Sequence, residues 1–258
     1  MCGRIIIKKS IRIVEEAMNL SPQLDLHDYR GYNIGPGSQV PVLGPEKIFR
    51  MMRFGLTPFW SKKNMLLFNA RSEGDFNKEN DMGYAGNKGI FQKPSFRGPI
   101  RKKRCIVFVN GFLEGPEKEK LSKPYYVFDQ DKDFMGLAAI YDQWLNKETG
   151  EEIEGFALIT TVSNHVTHKI GHHRSPVILP PSSYYTWLKS THLDAISPLL
   201  APSKNKRLNA YPVSPEIRSP RVNDESLLQA IGPAVIQHKG VEFKTEFDTQ
   251  GFGRRKKL

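Results

Sequence analysis

Cysteine and long apolar runs are scarce in this sequence, and both absences narrow the class of protein. Cys2 and Cys105 are the only cysteines among 258 residues, too few for a disulfide framework and typical of a reducing, cytosolic environment. No segment approaches the roughly 18 consecutive apolar residues of a membrane span, and the apolar patch at residues 5–7 is too short for the core of a signal peptide. We therefore expect a cytoplasmic protein that makes no contact with a membrane.

Acidic residues are missing from two long stretches of a chain that is basic as a whole. The 38 lysines and arginines outnumber the 27 aspartates and glutamates, which gives a net charge of +11. Residues 82–113 and residues 155–193 contain no Asp or Glu at all. A basic surface of this extent favours a polyanionic partner, nucleic acid before an anionic membrane, and a merely solvated basic face is the alternative.

Internal repeats and a clear interdomain linker are also absent, so the chain is expected to form one domain. Apolar runs of strand length recur, for example "RCIVFVNGFLE" and "FALITTVS", whereas helical patterns are short and lie near residues 10–20, 182–188 and 224–232. Residues 74–99 are polar and rich in glycine, which predicts a long exposed loop. The whole pattern predicts a single α+β domain with an antiparallel, barrel-like β core flanked by short helices.

We place the end of this domain at residue 235. Residues 1–235 are predicted to form the catalytic domain, and residues 236–258 a tail that carries four consecutive basic residues just before its last leucine. A basic terminal segment of this kind is expected to be flexible and to attract phosphate weakly.

The opening "MCGR" places a cysteine directly after the initiator methionine. If the methionine is removed, Cys2 carries a free α-amine and a thiol on one residue. In reference compounds these groups titrate near ~8 and ~8.5, so both have nucleophilic populations at neutral pH. This residue is the first candidate for covalent chemistry, whereas Cys105 lies within an apolar run and is expected to be a buried core thiol.

Three further segments carry residues suited to chemistry. "FNARSEG" contains Asn69 and Arg71, "NGFLEG" contains Glu114, and "IGHHRSPVIL" contains His172 and Arg174. Glu114 ends an apolar strand, where partial burial would raise its pKa, and a histidine titrates near ~6.5 and can move protons. The alternatives are a turn cap for the asparagine, a surface glutamate, and arginines held in structural ion pairs.

Three histidines invite a metal interpretation. His165, His168 and His172 are spaced by three and four residues, as ligands on one helical face would be. No carboxylate or cysteine lies nearby, however, and Gly171 and Pro176 argue against a helix that continues through the third histidine. We therefore expect no metal and no other cofactor.

The ordered set of these motifs resembles the SOS response-associated peptidase family, whose members covalently trap abasic sites in single-stranded DNA. Further matches are "YNIGPG", "FGLTPFW", "KPYYVF", "GLAAIYDQW" and "ALITT", and the resemblance extends from Cys2 to about residue 188. It implies abasic single-stranded DNA as the partner, a nucleoid-associated location in a bacterium, and crosslink formation, with lyase and auto-peptidase activities as further expectations.

The resemblance also assigns site residues. The implied catalytic residues are Cys2, Asn69, Glu114 and His172, and the implied DNA-binding residues are Arg4, Pro36, Arg71, Thr160, Thr161 and Arg174. The chain departs from the family pattern in several places: Phe54 stands where the family has Trp, Leu113 and Gly115 replace an aromatic pair, His173 and Ser175 replace Asp and Met, Gly74 replaces Thr, and the loop over 74–94 is longer.

The chemistry implied is the capture of an aldehyde. An abasic deoxyribose opens to an aldehyde, the Cys2 amine forms a Schiff base with it, and the adjacent thiol closes a five-membered thiazolidine, an intramolecular step. Two alternatives remain: a thiol peptidase using Cys2 with His172, and a non-covalent single-strand binder whose bases stack on Phe59, Trp60 and Phe112. Since successive side chains of an extended segment alternate, His172 is predicted to face the DNA with Arg174, and His173 to face away or to lie at the rim.

Overall fold

The computed structural model describes residues 2–237. In chain order, the strands are β1 Ile5–Ile7, β2 Gly31–Ile34, β3 Gln39–Leu43, β4 Phe49–Phe54, β5 Asn69–Arg71, β6 Arg104–Val109, β7 Gly111–Glu114, β8 Tyr125–Asp129, β9 Met135–Leu145, β10 Glu152–Val162, β11 Arg174–Pro176, β12 Ile178–Leu179 and β13 Leu208–Pro212. The α-helices are α1 Arg12–Met18, α2 Pro99–Lys102, α3 His165–Ile170, α4 Tyr184–Lys189 and α5 Leu193–Ile196.

Five strands close into a barrel. The order β10–β4–β3–β6–β9 is completed by direct pairing of β9 with β10, in which Glu152 lies opposite Leu145 and Leu158 opposite Ala139. All of these pairings are antiparallel except that of β4 with β10, which run parallel. A closed sheet leaves fewer exposed edges, and β5, β11 and β12 extend the barrel at its rim.

A second sheet has the order β13–β8–β7–β1–β2 and is antiparallel throughout. Apolar side chains of this sheet and of the barrel form one core cluster that includes Ile5, Phe112, Val127, Phe156 and Leu158. Continuous runs of buried residues, such as all six of β6, explain why the strands read as unbroken apolar segments. The α+β fold with a barrel-like antiparallel core and short flanking helices is confirmed.

The short helices differ in detail from the sequence expectations. The sequence predicts Ser10 as the cap of the first helix, but α1 begins at Arg12 behind Ile11. The Ser10 hydroxyl donates to the carbonyl of His27 and accepts a hydrogen bond from the Arg12 amide at 3.3 Å. The helix expected from residue 224 is a single 3₁₀ turn, Glu225–Leu228, whose first amides are capped by Asp224. The apolar residues 65–68 predict a strand, but only Leu67 among them forms a bridge, with Leu56.

The segment 74–99 is not a uniformly exposed loop. Ile90 and Phe96 are buried in the second core cluster, and Gly74 (φ 59°) packs so closely on Gly89 that a Cβ at Gly74 would lie 2.9 Å from the Gly89 Cα. The prediction of exposure holds for most of the first half of the segment, where Asp75, Phe76 and Lys78 are exposed.

The chain beyond β13 continues to pack on the fold. The Ile236 amide donates to Asn209, whose own amide donates back to the Ile236 carbonyl, so the chain is still paired at the first residue of the predicted tail. The remainder of that tail, from residue 238 onward, lies outside the described residues, as does Met1. Within residues 2–237, no helix has the length and apolarity needed to cross a membrane.

Candidate active site

Cys2 and Glu114 are brought together by the register of two strands. β1 and β7 run antiparallel with Ile5 opposite Phe112, and the Leu113 amide donates to the Arg4 carbonyl at 3.0 Å. Because the two strands are antiparallel, the residues just before β1 lie beside the residues at the end of β7. This register leaves Cys2, 1% exposed, beside the buried Glu114.

Asn69 fixes the backbone of Cys2. It begins β5, which is held in place by parallel pairing with β10, and its side-chain Nδ2 donates to the Cys2 carbonyl at 2.9 Å. Within residues 2–237, the buried Asn69 Oδ1 has no hydrogen-bond partner. An amide oxygen in this position is an acceptor available to an amine on the same residue whose carbonyl the amide nitrogen holds.

His172 joins the site from the end of α3. Gly171 stops the helix in a left-handed conformation (φ 86°), and the His172 amide then donates to the Thr167 carbonyl. The His172 ring is buried and its Nε2 lies 3.5 Å from Glu114 Oε1. Cys2, Asn69, Glu114 and His172, far apart in sequence, therefore occupy one site.

Burial dominates the electrostatics of the site. It raises the pKa of Glu114 to about 7 and lowers the pKa of His172 to about 3. Although their separation is within the range of an ion pair, both shifts favour the uncharged forms, so at neutral pH His172 is uncharged and Glu114 is only partly ionised. Burial, with the nearby Glu114 charge, also raises the pKa of the Cys2 thiol, which is therefore protonated.

A cavity of about 880 Å³ opens beside these residues. Glu114 and His172 form part of its wall together with Gly3, and its other walls include Arg4, Pro36, Phe68, His173 and Arg218. A second cavity, of about 510 Å³, lies between α1 and α4 and contains none of the predicted site residues. The first cavity is the one placed to admit a substrate to Cys2.

Arg4 lies at this cavity, held by a bond from its Nη1 to the Gly3 carbonyl at 3.0 Å. Its guanidinium passes so close to Gly35 that a Cβ there would lie 2.3 Å from Nη1. A side chain at residue 35 would therefore push the guanidinium of Arg4 out of this position. Arg4 and Pro36 thus share one wall of the cavity.

Arg71 and Arg174 converge on one buried carboxylate. Arg174 Nη2 lies 3.0 Å from Glu73 Oε2, and Arg71 Nε lies 3.7 Å from the same oxygen. The Thr161 hydroxyl donates to Glu73, and Arg174 also donates to the Thr160 hydroxyl. Burial would raise the pKa of Glu73, but the Arg174 charge and these hydrogen bonds outweigh it and lower that pKa.

The predicted DNA-binding residues around Glu73 differ in how exposed they are. Thr160, Thr161 and Arg174 are buried, whereas the Arg71 side chain is 30% exposed. The pairing of an arginine with Glu73, offered from the sequence as an alternative to DNA binding, is confirmed for Arg174. Of this group, Arg71 is the residue most accessible to a ligand.

His173 does not face away from His172: both residues line the cavity, and His173, with a side chain that is 30% exposed, lies at its rim, which is one of the two positions predicted for it. Their rings stack with centroids 5.2 Å apart and planes 20° apart, because the chain bends at His173 and breaks the alternation of an extended segment. His173 also contacts the Glu117 carboxylate. Neither this contact nor Glu117 itself had a signal in the sequence.

Two further expectations are resolved by burial. Phe112 is fully buried in the core and offers no face for a base, whereas Phe59 and Trp60 are 67% and 51% exposed. Cys105 is fully buried, as expected, and burial raises its pKa well above the usual value.

His165 and His168 lie on α3, and no group of three or more potential metal ligands occurs between residues 2 and 237.

Comparison with known proteins places these residues in context. A family model described as "SOS response associated peptidase (SRAP)" matches residues 1–220. The chain is 28% identical over 240 residues to the abasic site processing protein YoqW of Bacillus subtilis, covering 89% of this chain and all of that protein. It is 27% identical over 223 residues to the abasic site processing protein HMCES of Gallus gallus, covering 74% of this chain and 63% of that one.

A solved structure shares the fold. A protein from Bacteroides thetaiotaomicron superimposes with a TM-score of 0.75 at 28% identity, covering 89% of this chain and 99% of that one.

Proposed function

The chain belongs to the SOS response-associated peptidase family, and from that premise we propose that it captures abasic sites in single-stranded DNA as a covalent adduct on Cys2. The names of its relatives support the processing of abasic sites. The observation that carries the proposal is the bond from Asn69 Nδ2 to the Cys2 carbonyl, with the unpartnered Asn69 Oδ1 beside it. Once Met1 is removed, that oxygen can accept a hydrogen bond from the new α-amine.

The first step is imine formation. The α-amine of Cys2 adds to the aldehyde carbon of the ring-opened deoxyribose, and the resulting carbinolamine loses its hydroxyl group as water. Proton transfer to that hydroxyl assists its departure, and the protonated carboxyl of Glu114 is suited to supply the proton. With a pKa of about 7, Glu114 has both of its forms available at neutral pH.

The second step closes the ring. The Cys2 sulfur adds to the imine carbon, the thiol proton leaves sulfur, and the imine nitrogen gains a proton, so the thiazolidine forms without an oxidant or a leaving group. Because burial keeps the thiol protonated, this step needs a base close to sulfur. The carboxylate form of Glu114 fills that role, and the neutral His172, 3.5 Å away, can exchange the proton with it.

The electrostatics favour capture over thiol peptidase chemistry. A peptidase of the Cys-His type depends on a thiolate stabilised by an imidazolium. Here burial raises the pKa of Cys2 and lowers that of His172 to about 3, so both groups prefer their neutral forms. An aldehyde trap needs no preformed thiolate, since the amine reacts first.

The strand is proposed to reach the cavity along basic and aromatic side chains. Arg4 lines the cavity and the partly exposed Arg71 lies two residues beyond Asn69 on the same face of β5. Phe59 and Trp60 offer exposed rings on which bases can stack. A flexible single strand can present its sugar to the buried Cys2, whereas a continuous duplex would have to bend or open.

Denaturing electrophoresis with an abasic oligonucleotide tests the proposal. The Met1-processed protein should give a shifted band that survives heating in detergent, and C2A should not. C105A, which changes the other cysteine, should still form the adduct, and a tag left ahead of Cys2 should block it by converting the amine to an amide. A reversible shift of intact and abasic strands alike would instead support simple non-covalent binding.

A further inference from the structure

Asn80 lies between the two arginines that converge on Glu73. Its side-chain Oδ1 accepts a hydrogen bond from Arg71 Nη2 at 2.9 Å and lies 3.4 Å from Arg174 Nη1. The residue belongs to the segment 74–94, which the sequence comparison with the family identified as unusually long. Nothing in the proposed capture chemistry uses it.

The turn that carries Asn80 is built to present this side chain. Asn77 is buried and clamps the turn through two bonds with the backbone of Asp81, and the Asn80 amide donates to the Asn77 carbonyl. Asn80 itself adopts a left-handed conformation with φ 58°, which asparagine tolerates better than most residues. The neighbouring Lys78 and Glu79 are exposed, so solvent lies on the outer side of the turn.

One donor of each arginine points at this oxygen: Arg71 Nη2 and Arg174 Nη1. Arg174 Nη2 is already occupied by Glu73 and the Thr160 hydroxyl. An anion oxygen that bridges these two free-facing donors would therefore lie where Asn80 Oδ1 now lies. Two arginines on one carboxylate leave this cluster with a net positive charge, which an amide oxygen does not neutralise.

We infer that Asn80 holds, in the DNA-free protein, the position that a phosphate oxygen of the bound strand takes between Arg71 and Arg174. The inference rests on the proposed binding of a DNA strand along these arginines. The phosphate displaces Asn80 because hydrogen bonds between guanidinium and a charged oxygen are roughly twice as strong as those to a neutral one. Asn80 thereby sets the affinity of the protein for DNA by competing with the backbone of its substrate.

Substitutions of Asn80 in opposite directions test the inference, with a fluorescein-labelled intact single-stranded oligonucleotide as the probe. N80G removes the competing oxygen and keeps a residue suited to positive φ, so it should bind about 3-fold to 10-fold more tightly. N80D places a charged competitor between the arginines and should bind at least ~10-fold more weakly. Opposite effects from one position cannot come from general loss of folding.

Two controls separate competition from a change in the loop. N19G makes the same substitution at Asn19, another left-handed asparagine, at the end of α1, and should leave the affinity unchanged. In an R71A background the effect of N80G should shrink towards zero, because the competed donor is gone. The salt dependence of binding should keep its slope in N80G, since the same phosphates are contacted.

The inference is overturned if N80G binds no more tightly than the wild type, or more weakly, which would make Asn80 a support for Arg71. Because the probe carries no abasic site, the result does not depend on the Cys2 adduct. If the oligonucleotide binds neither the wild type nor any variant, the proposed DNA binding is refuted. If N80G binds with unaltered affinity, only the role of Asn80 is refuted.

Discussion

Replacing Glu114 with glutamine should make the protein progressively more stable than the wild type as the pH rises. Burial raises the pKa of Glu114 from 4.5 to about 7, so between these values the folded protein binds a proton that the unfolded chain has released. The unfolding free energy contributed by this group therefore falls as the pH rises through that window and is constant above and below it. Glutamine at position 114 cannot ionise, so the unfolding free energy of E114Q does not fall for this reason.

The size of the effect follows from the shift. At 1.36 kcal/mol for each pKa unit, the stability difference between E114Q and the wild type should move by about 3 kcal/mol in favour of E114Q from pH 4.5 to pH 7.5. His172 acts in the opposite sense, since its lowered pKa makes stability rise between about 3 and 6.5. The two contributions therefore partly cancel in the pH profile of the wild-type unfolding free energy. The difference in unfolding free energy between E114Q and the wild type is needed to isolate the contribution of Glu114.

Urea unfolding followed by tryptophan fluorescence, at pH values from 4.5 to 8, measures this difference. E117Q provides the control, because it makes the same chemical change on a side chain that is 61% exposed, where ion pairs contribute little. An E114Q difference that stays constant with pH would refute the burial of a neutral Glu114. A difference of opposite sign would show that Glu114 is an anion paired with protonated His172.

Further predictions concern the site and the strand path. H172A should slow adduct formation or its reversal by at least ~10-fold in single-turnover assays, whereas H173A should change binding only modestly. If H173A is the slow variant instead, the role given to His172 belongs to His173. R71A should reduce the slope of log affinity against log salt for single-stranded DNA by about 0.7, and an unchanged slope would give Arg71 a purely structural role. G35A should weaken DNA binding several-fold in anisotropy titrations, because its Cβ would lie 2.3 Å from Arg4 Nη1; unchanged affinity would show that Arg4 makes no DNA contact.

The apolar runs of the sequence were sufficient to predict the fold class and to locate the buried strands. Buried strands leave unbroken apolar runs, as in β6 and β7, so both could be located, and with them Glu114 at a strand end. The assembly of Cys2, Asn69, Glu114 and His172 followed from the family resemblance. Their spacing in the sequence does not predict that they meet, because their proximity depends on the pairing of β1 with β7 and of β5 with β10.

Features that depend on tertiary context could not be predicted. The barrel includes a parallel pairing of β4 with β10, strands far apart in sequence, and no local pattern marks it. The bend at His173 stacks two histidines that an extended segment would separate. Asn80 lies in a polar segment without periodicity, and its contact with Arg71 exists only because the segment folds back on β5.

The identity of the bond at residue 2 tests the central claim most directly. Intact-mass spectrometry should compare the wild type with C2S, both Met1-processed, after incubation with an abasic single strand and denaturation. C2S keeps the α-amine but lacks the thiol, so it can form the imine and cannot close the sulfur-containing ring.

The account predicts that the wild-type protein gains the mass of the strand less one water, without any reductant, and that the modified peptide begins at Cys2. The C2S protein should keep an adduct only when borohydride is present to reduce the imine, and that adduct should carry the mass of the strand less one water plus the two hydrogens that the reduction adds. A stable adduct on C2S without borohydride, or a wild-type adduct mapped to a lysine, would contradict capture by the amine and thiol of Cys2.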